Sequence, residues 1–306
     1  MRIFVAGATG VLGRRVVPHL VTDGHAVTAV ARSDAKTMAL QDQGATPVTV
    51  DLFDPIAVTR AVDGHDAVMN LATAIPATSQ MMRPSAWALT SRLRSEASSH
   101  LVDAALATGA QRYIQEALGF MYTDHGSEWI TEDAELAPPG YAAAVKVAEA
   151  NARRFDGSGG NGVALRFGLF YSADSRQTRD MLQIARRGIL TIPGRSDGYQ
   201  SWIHVDDAGR AVVAALDASG GAYNVVEDVP LTNAEHVEVL GRLLGRRVRH
   251  LPAALGIGDV LANQSRSQRV SNQRLRSTTT WRPVYPSRRE GWHYVISALV
   301  EANAHG

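Results

Sequence analysis

The 306-residue sequence contains no cysteine. Disulfides, cysteine-ligated zinc and thiolate catalysis are therefore excluded, and a reducing compartment is the natural setting. An excess of either charge is lacking too: 31 Lys and Arg stand against 30 Asp and Glu, a formal net charge of +1. That balance gives no footing for nucleic acid or a membrane surface as a partner. The short basic clusters Arg186-Arg187 and Arg246-Arg247-Val248-Arg249 read most simply as solvated helix ends. No apolar run approaches the length of a bilayer span, and the opening residues, MRIFVAGATG, lack a signal-peptide layout. A cytoplasmic protein is expected. The histidines show neither the paired helical spacing nor the acidic companions of a metal site, so no metal is expected. Hydrolase chemistry has no support either, since no Gly-x-Ser-x-Gly elbow occurs.

What is present is a rhythm of short apolar runs and helical patterns that starts at the second residue. Arg2 to Ala6, Val27 to Ala31, Pro47 to Val50, Ala67 to Leu71, Arg112 to Gln115 and Val163 to Phe167 read as strands. Helical spacing lies between them: Val11 to Val21 with Pro18 inside, Ala35 to Gln43 capped by Asp34, Pro55 to Val62 capped by Asp54, Thr90 to Ala107, and Ala142 to Phe155. Gly157 to Gly162 reads as a surface loop. Such alternation predicts an α/β fold: a doubly wound parallel sheet of the Rossmann type, with a smaller C-terminal substrate lobe. Residues 1–170 are expected to form the sheet domain, with 204–226 returning to it. Residues 171–203 and 227–306 are expected to form the lobe.

Gly7-Ala8-Thr9-Gly10-Val11-Leu12-Gly13 lies where the first strand meets the first helix. The first glycine permits the tight turn, the second lets backbone amides approach a pyrophosphate, and the third allows close helix–strand packing. A dinucleotide site is expected here, with Gly7, Thr9, Gly10, Val11, Leu12 and Gly13 around the phosphates. The residue after the second strand selects the cofactor, because an acidic side chain there repels a 2′-phosphate. This position holds Arg32, followed by Ser33, with Lys36 nearby. Their charge favours NADP(H) over NAD(H).

With the glycine turn, three further motifs carry a resemblance: Asp51-Leu52 after the third strand, Leu71-Ala72-Thr73 after the fourth, and WIHVDDAGRAV from Trp202 to Val212. Together they resemble the extended and atypical short-chain dehydrogenase/reductases, the superfamily of NAD(P)-dependent epimerases, dehydratases and reductases. The resemblance implies that Asp51 and Leu52 flank the adenine and that Leu71, Ala72 and Thr73 lie along the ribose and diphosphate. It also implies that Phe167 and the region after it close over the nicotinamide, and that His204 to Asp207 are structural. Its reaction centre is a Tyr, a Lys four residues later and an assisting Ser. The nearest match is Tyr141 with Lys146, an interval of five, which places two side chains on nearly opposite faces of a regular helix. They meet only if Tyr141 precedes the first turn, as Pro138-Pro139-Gly140 allows. Lys146 is then expected to hold the nicotinamide ribose as well. Counting back from Tyr122 puts Leu118 or Ala117 where the Ser belongs, so the usual polarising hydroxyl is missing. Tyr122 is a candidate replacement proton donor.

Met81, Met82, Trp87, Phe120, Trp129, Tyr171 and Trp202 are expected near the cleft, a lining suited to a small apolar metabolite. Arg83, Arg92, Arg94 and Arg195 are candidates to receive an acidic group. The leading expectation is an NADP(H)-dependent reductase or dehydrogenase acting on a carbonyl/alcohol pair. A non-redox epimerase, dehydratase, isomerase or cyclase retaining the nucleotide is the alternative, and an NADP-sensing binding protein a second. A homodimer is compatible with the sequence.

Overall fold

The computed structural model describes residues 1–252 and 258–304. Residues 253–257, 305 and 306 of the expected lobe lie outside the described residues. The chain opens with β1 (Arg2–Ala6), α1 (Gly13–Thr22), β2 (Ala26–Val30), α2 (Asp34–Asp42), β3 (Thr46–Val48), α3 (Pro55–Val62) and β4 (Ala67–Asn70). After a loop come α4 (Ala88–Arg92), a π-helical turn at Leu93–Ala97 and α5 (Ser98–Ala107), then β5 (Arg112–Leu118), β6 (Trp129–Ile130), α6 (Ala144–Gly157) and β7 (Asn161–Phe167). The remainder supplies β8 (Leu169–Tyr171), α7 (Arg176–Ala185), β9 (Ile189–Ile192), β10 (Trp202–His204), α8 (Val205–Ala214), β11 (Gly221–Val225), α9 (Asn233–Leu243), β12 (Arg249–Pro252), α10 (Gly258–Gln264), β13 (Arg269–Val270), α11 (Gln273–Thr278) and α12 (Arg288–Ala304).

Seven strands form one parallel sheet in the order β11-β7-β5-β4-β1-β2-β3. The order reverses beside β1, and a doubly wound sheet binds its ligand in the crevice at such a reversal. Strands buried on both faces need apolar residues throughout, which is why Ile3, Phe4, Val5 and Ala6 are all fully buried. One side of the sheet is packed by α1 and α8 through Val16, Val17, Leu20, Ala208, Ala211 and Val212. The other is packed by α3, α5 and α6 through Val58, Leu101, Val102, Ala152 and Phe155. The lobe has its own core of Tyr171, Leu182, Leu190, Leu240 and Trp292.

Several boundaries differ from the sequence reading. The cap of α2 is Ser33; Asp34 stands in the first turn, where its charge suits the helix dipole without a capping bond. Asp54 does cap α3, accepting from the amides of Ile56 and Ala57 at 2.9 and 3.1 Å. The helix read as continuous from Thr90 to Ala107 is interrupted by the π turn, which turns Arg94 inward until 2% of it is exposed. Strand β5 runs on to Leu118, and Asn161 and Gly162 belong to β7 instead of a loop.

Candidate active site

The glycine turn is built as the spacing demands. Gly7 has a positive φ of 81°, and a β-carbon there would lie 2.5 Å from the backbone of Leu71 and Ala72. A β-carbon on Gly13 would strike the Gly7 carbonyl and the Ala8 backbone. At Gly10 one atom among the described residues comes within 4 Å of such a carbon, the Gly7 oxygen at 3.2 Å, and the rest of its surroundings is open. Backbone donors at the start of α1 and a bare glycine face fit a pyrophosphate. Val11 stands exposed on this turn, whereas Leu12 is buried in the sheet core. Leu12 therefore holds the turn in place and does not present its side chain to a ligand.

Arg32 follows β2 and is exposed; it has no ion pair or hydrogen bond among the described residues. Ser33 is exposed beside it and Lys36 is half-buried. Asp51 is exposed and accepts from the Phe53 amide at 3.0 Å. Leu52 is buried, and its carbonyl accepts from His100 Nδ1 at 3.1 Å. Leu71 is fixed by its amide donating to Ala6 O at 2.9 Å; Ala72 donates to Asn70 Oδ1 at 3.3 Å, and Thr73 lies half-buried beyond it. All of these lie at the C-terminal ends of β1 to β4, around one crevice. Phe167 is different. Its ring is 1% exposed within the sheet core, edge-on to Phe170, so its side chain is turned away from the crevice.

Tyr141 sits in a single 3-10 turn, Gly140–Ala142, ahead of α6, as Pro138-Pro139-Gly140 allows. Its ring packs on Trp87 with centroids 4.6 Å apart, while Trp87 Nε1 donates to Met81 O at 2.9 Å. Burial pushes the Tyr141 phenol up to about 12, against the pull of the nearby Arg266 and Arg94 guanidinia and the Asn263 amide. Lys146 is exposed and makes no hydrogen bond or ion pair among the described residues. The residue before it, Val145, is fully buried against the end of β5 with Ala117 and Leu118. No hydrogen bond joins Tyr141 and Lys146 among the described residues. Helix α6 is held instead by Glu149, which accepts two bonds of 2.8 Å from Arg166 on β7.

Tyr122 is fully buried. Its hydroxyl donates to Asn224 Oδ1 at 2.7 Å and accepts from Arg166 Nη1 at 2.9 Å. Burial pushes this phenol to about 12 as well. A hydroxyl spent in both directions inside a closed network does not meet a substrate, so Tyr122 is corrected from proton donor to structural post. Tyr171 and Trp202 are likewise lobe core, not cleft wall: Tyr171 lies 5.2 Å from the Trp292 ring and donates to Glu227 at 2.7 Å. Trp129 is exposed and lies under Arg269, 4.2 Å from its ring centroid. Among the candidate arginines, Arg94 is consumed by a buried bidentate pair with Glu116 (2.7 and 3.1 Å), Arg92 by Glu96 and Arg195 by Asp197; Arg83 is exposed.

Sequence reading missed the polar floor beneath the crevice. Gln115 Oε1 on β5 accepts from Asn70 at 3.0 Å, Ser98 at 2.9 Å and Tyr113 at 2.8 Å, all buried. It also missed Asn263 and Arg266, which α10 and the turn after it bring against Phe120 and Tyr122. No spacing signal in the sequence links positions so far apart. Groups of three or more metal-ligating side chains do not occur among the described residues.

Residues 3–226 match the model of the NAD dependent epimerase/dehydratase family. The chain belongs to that family. It is accordingly an enzyme of the NAD(P)-dependent oxidoreductase or epimerase/dehydratase kind, with a nicotinamide cofactor. A 3-diazoavenalumate denitrifying reductase of a Streptomyces species is 36% identical over 95% of this chain and 99% of its own length. A 2-alkyl-3-oxoalkanoate reductase of Stenotrophomonas maltophilia is 27% identical over 80% of this chain and 76% of its own. Among solved structures, the UDP-glucose 4-epimerase of Thermotoga maritima superposes with a TM-score of 0.80 at 18% identity, covering 99% of this chain and all of its own. A human epimerase family protein, solved with NADPH, gives 0.78 at 22% identity over 97% and 99%. These structures share the fold. Among the described residues no helix is long and apolar enough to cross a membrane.

Proposed function

We propose that this enzyme is an NADP(H)-dependent reductase that passes hydride to a small, largely apolar acceptor. The observation that carries the reading is a nucleotide crevice kept whole beside a proton-transfer group that is not. The glycine turn, Asp51-Leu52 and Leu71-Ala72-Thr73 form the cradle, and Arg32 meets the 2′-phosphate, with Ser33 beside it. NADPH supplies the hydride when bound. Lys146, on the open flank of α6, reaches toward the nicotinamide ribose rather than toward Tyr141. Tyr141 and Trp87 form an aromatic wall for the acceptor, together with Met81.

Arg32 decides the cofactor. A charge-assisted contact to phosphate contributes on the order of 1.5–3 kcal/mol, so NADPH should bind about tenfold or more tightly than NADH. Titrating both nucleotides into the wild type and into Arg32→Asp tests this: the variant should lose or invert the preference. Equal affinities in the wild type would sink it.

The absent Ser and the unpaired Lys146 favour one kind of acceptor. Carbonyl reduction needs a proton at oxygen as hydride arrives, and a phenol held near 12 without a stacked ammonium is a poor donor. A diazonium group needs none: R–N2+ and NADPH give R–H, N2 and NADP+, with charge and atoms balanced. The Streptomyces relative named for removing nitrogen from a diazo compound supports this second reading. NADPH consumption with an arenediazonium salt should be insensitive to Tyr141→Phe. A rate that falls about a hundredfold in that variant would return the enzyme to acid-assisted carbonyl chemistry.

A further inference from the structure

We propose that Arg266 is a carboxylate anchor, so that the acceptor is an aromatic or conjugated acid bound with its anionic end on this guanidinium. The inference rests on the reductase reading, since it names the substrate class of the same cleft. Most buried or half-buried arginines near the crevice are neutralised at home: Arg94 by Glu116, Arg166 by Glu149, Arg15 by Asp174 and Asp206. Arg266 is not. Its Nη1 donates to three neutral oxygens, Tyr122 O at 3.1 Å, Ala137 O at 2.8 Å and Asn263 Oδ1 at 2.9 Å. It has no ion pair among the described residues, and neither Nε nor Nη2 makes a hydrogen bond among them.

The cation is thus immobilised by one nitrogen while its remaining edge is unspent. Uncompensated charge held in a half-buried place is costly, and an anion that completes the fork offsets that cost. Its neighbours are those of the cleft. The charge of Arg266 is felt at the Tyr141 phenol, and the Tyr141 ring packs at a tilt of 47° on Trp87, centroids 4.6 Å apart. Asn263 Nδ2 also donates to Phe120 O at 3.1 Å, and Phe120 packs on the same apolar cluster as Tyr141. Flat apolar surface on one side and a fixed guanidinium on the other describe a planar acid.

The test uses full-length protein loaded with NADP+ and compares cinnamate with methyl cinnamate by calorimetry. Cinnamate should bind at least about tenfold more tightly than the ester, and the margin should shrink as salt rises. Arg266→Gln should bring acid and ester near parity, and Arg266→Lys should keep part of the preference because the charge remains without the fork. NADP+ affinity is measured in each protein and should be unchanged. Equal binding of acid and ester by the wild type, a preference that survives in Arg266→Gln, or no binding of either while NADP+ binds would each overturn the anchor and leave the reductase reading standing. Failure of NADP+ to bind the wild type would bring down the reductase reading itself. The wild-type comparison decides the matter even if Arg266→Gln does not fold.

Discussion

At Gly10 a β-carbon would press on one backbone atom among the described residues, the Gly7 oxygen at 3.2 Å, and on the proposed reading the space beyond it takes the pyrophosphate. Gly10→Val should therefore fold, with a melting temperature near that of the wild type, and lose nucleotide affinity by two orders of magnitude or more, on the order of 3 kcal/mol. Intact affinity would mean that the phosphates lie elsewhere. The two tyrosines separate in the same way. Tyr122→Phe strips partners from buried Arg166 and Asn224 and should cost about 1–3 kcal/mol in denaturant unfolding. The Tyr141 hydroxyl makes no hydrogen bond of normal length among the described residues, so Tyr141→Phe should leave stability within about 1 kcal/mol. The glycine turn was legible because its backbone conformation is set by nearest neighbours in sequence. Arg266 was not, because its partners lie at Tyr122, Ala137 and Asn263, and only the folded chain brings them together.

Among the elements, α3 was readable to the residue. Asp54 and Pro55 fix its start by local chemistry alone, a cap and a residue that needs no donor. The stretch from Ala88 to Ala107 was not, because apolar periodicity reads straight through a π turn that adds a residue to one circuit. That turn places Arg94 against Glu116 on β5, a pair no helical spacing announces. Removing one partner leaves the other charged and buried, so Glu116→Gln should destabilise by about 3–5 kcal/mol in urea unfolding. A loss below about 1 kcal/mol would show that the pair is dispensable. Helix α9 offers a milder case: Thr232 and Glu235 form a reciprocal capping box, and Thr232→Ala should cost about 1 kcal/mol.

Across the whole molecule, the lobe carries a buried acid whose titration links stability to pH. Burial pushes the Glu227 carboxyl up to about 7; Arg288, its Nε 3.5 Å away, and the Tyr171 hydroxyl bond pull the other way without offsetting the lost water. The folded state thus holds a proton that the unfolded chain has released, and the stabilisation is complete below the ordinary glutamate range and lost as pH rises through about 7. Between pH 5 and 8 the melting temperature of the wild type should fall more steeply than that of Glu227→Gln; parallel slopes would reject the assignment. The lobe and the sheet also share a core. Leu275 and Trp281, from the last tenth of the chain or just before it, are buried among Val16, Leu20 and Ala211, and Trp281 Nε1 donates to Asp207 O at 3.0 Å. The Asp207 carboxylate in turn accepts from the amides of Val284 and Tyr285 at 2.6 and 3.0 Å.

That shared core gives synthesis a direction. A ribosome finishes every strand of the sheet well before it has made Trp281, so the nascent sheet emerges with its α1–α8 flank bare and Asp207 still waiting for its two amides. Chains stalled ahead of Leu275 should be cut by protease within that flank, whereas chains stalled after Tyr285 has left the exit tunnel should resist. The segment from Leu275 to Tyr285 is the clasp, and until it closes the nucleotide crevice stands on an unfinished foundation.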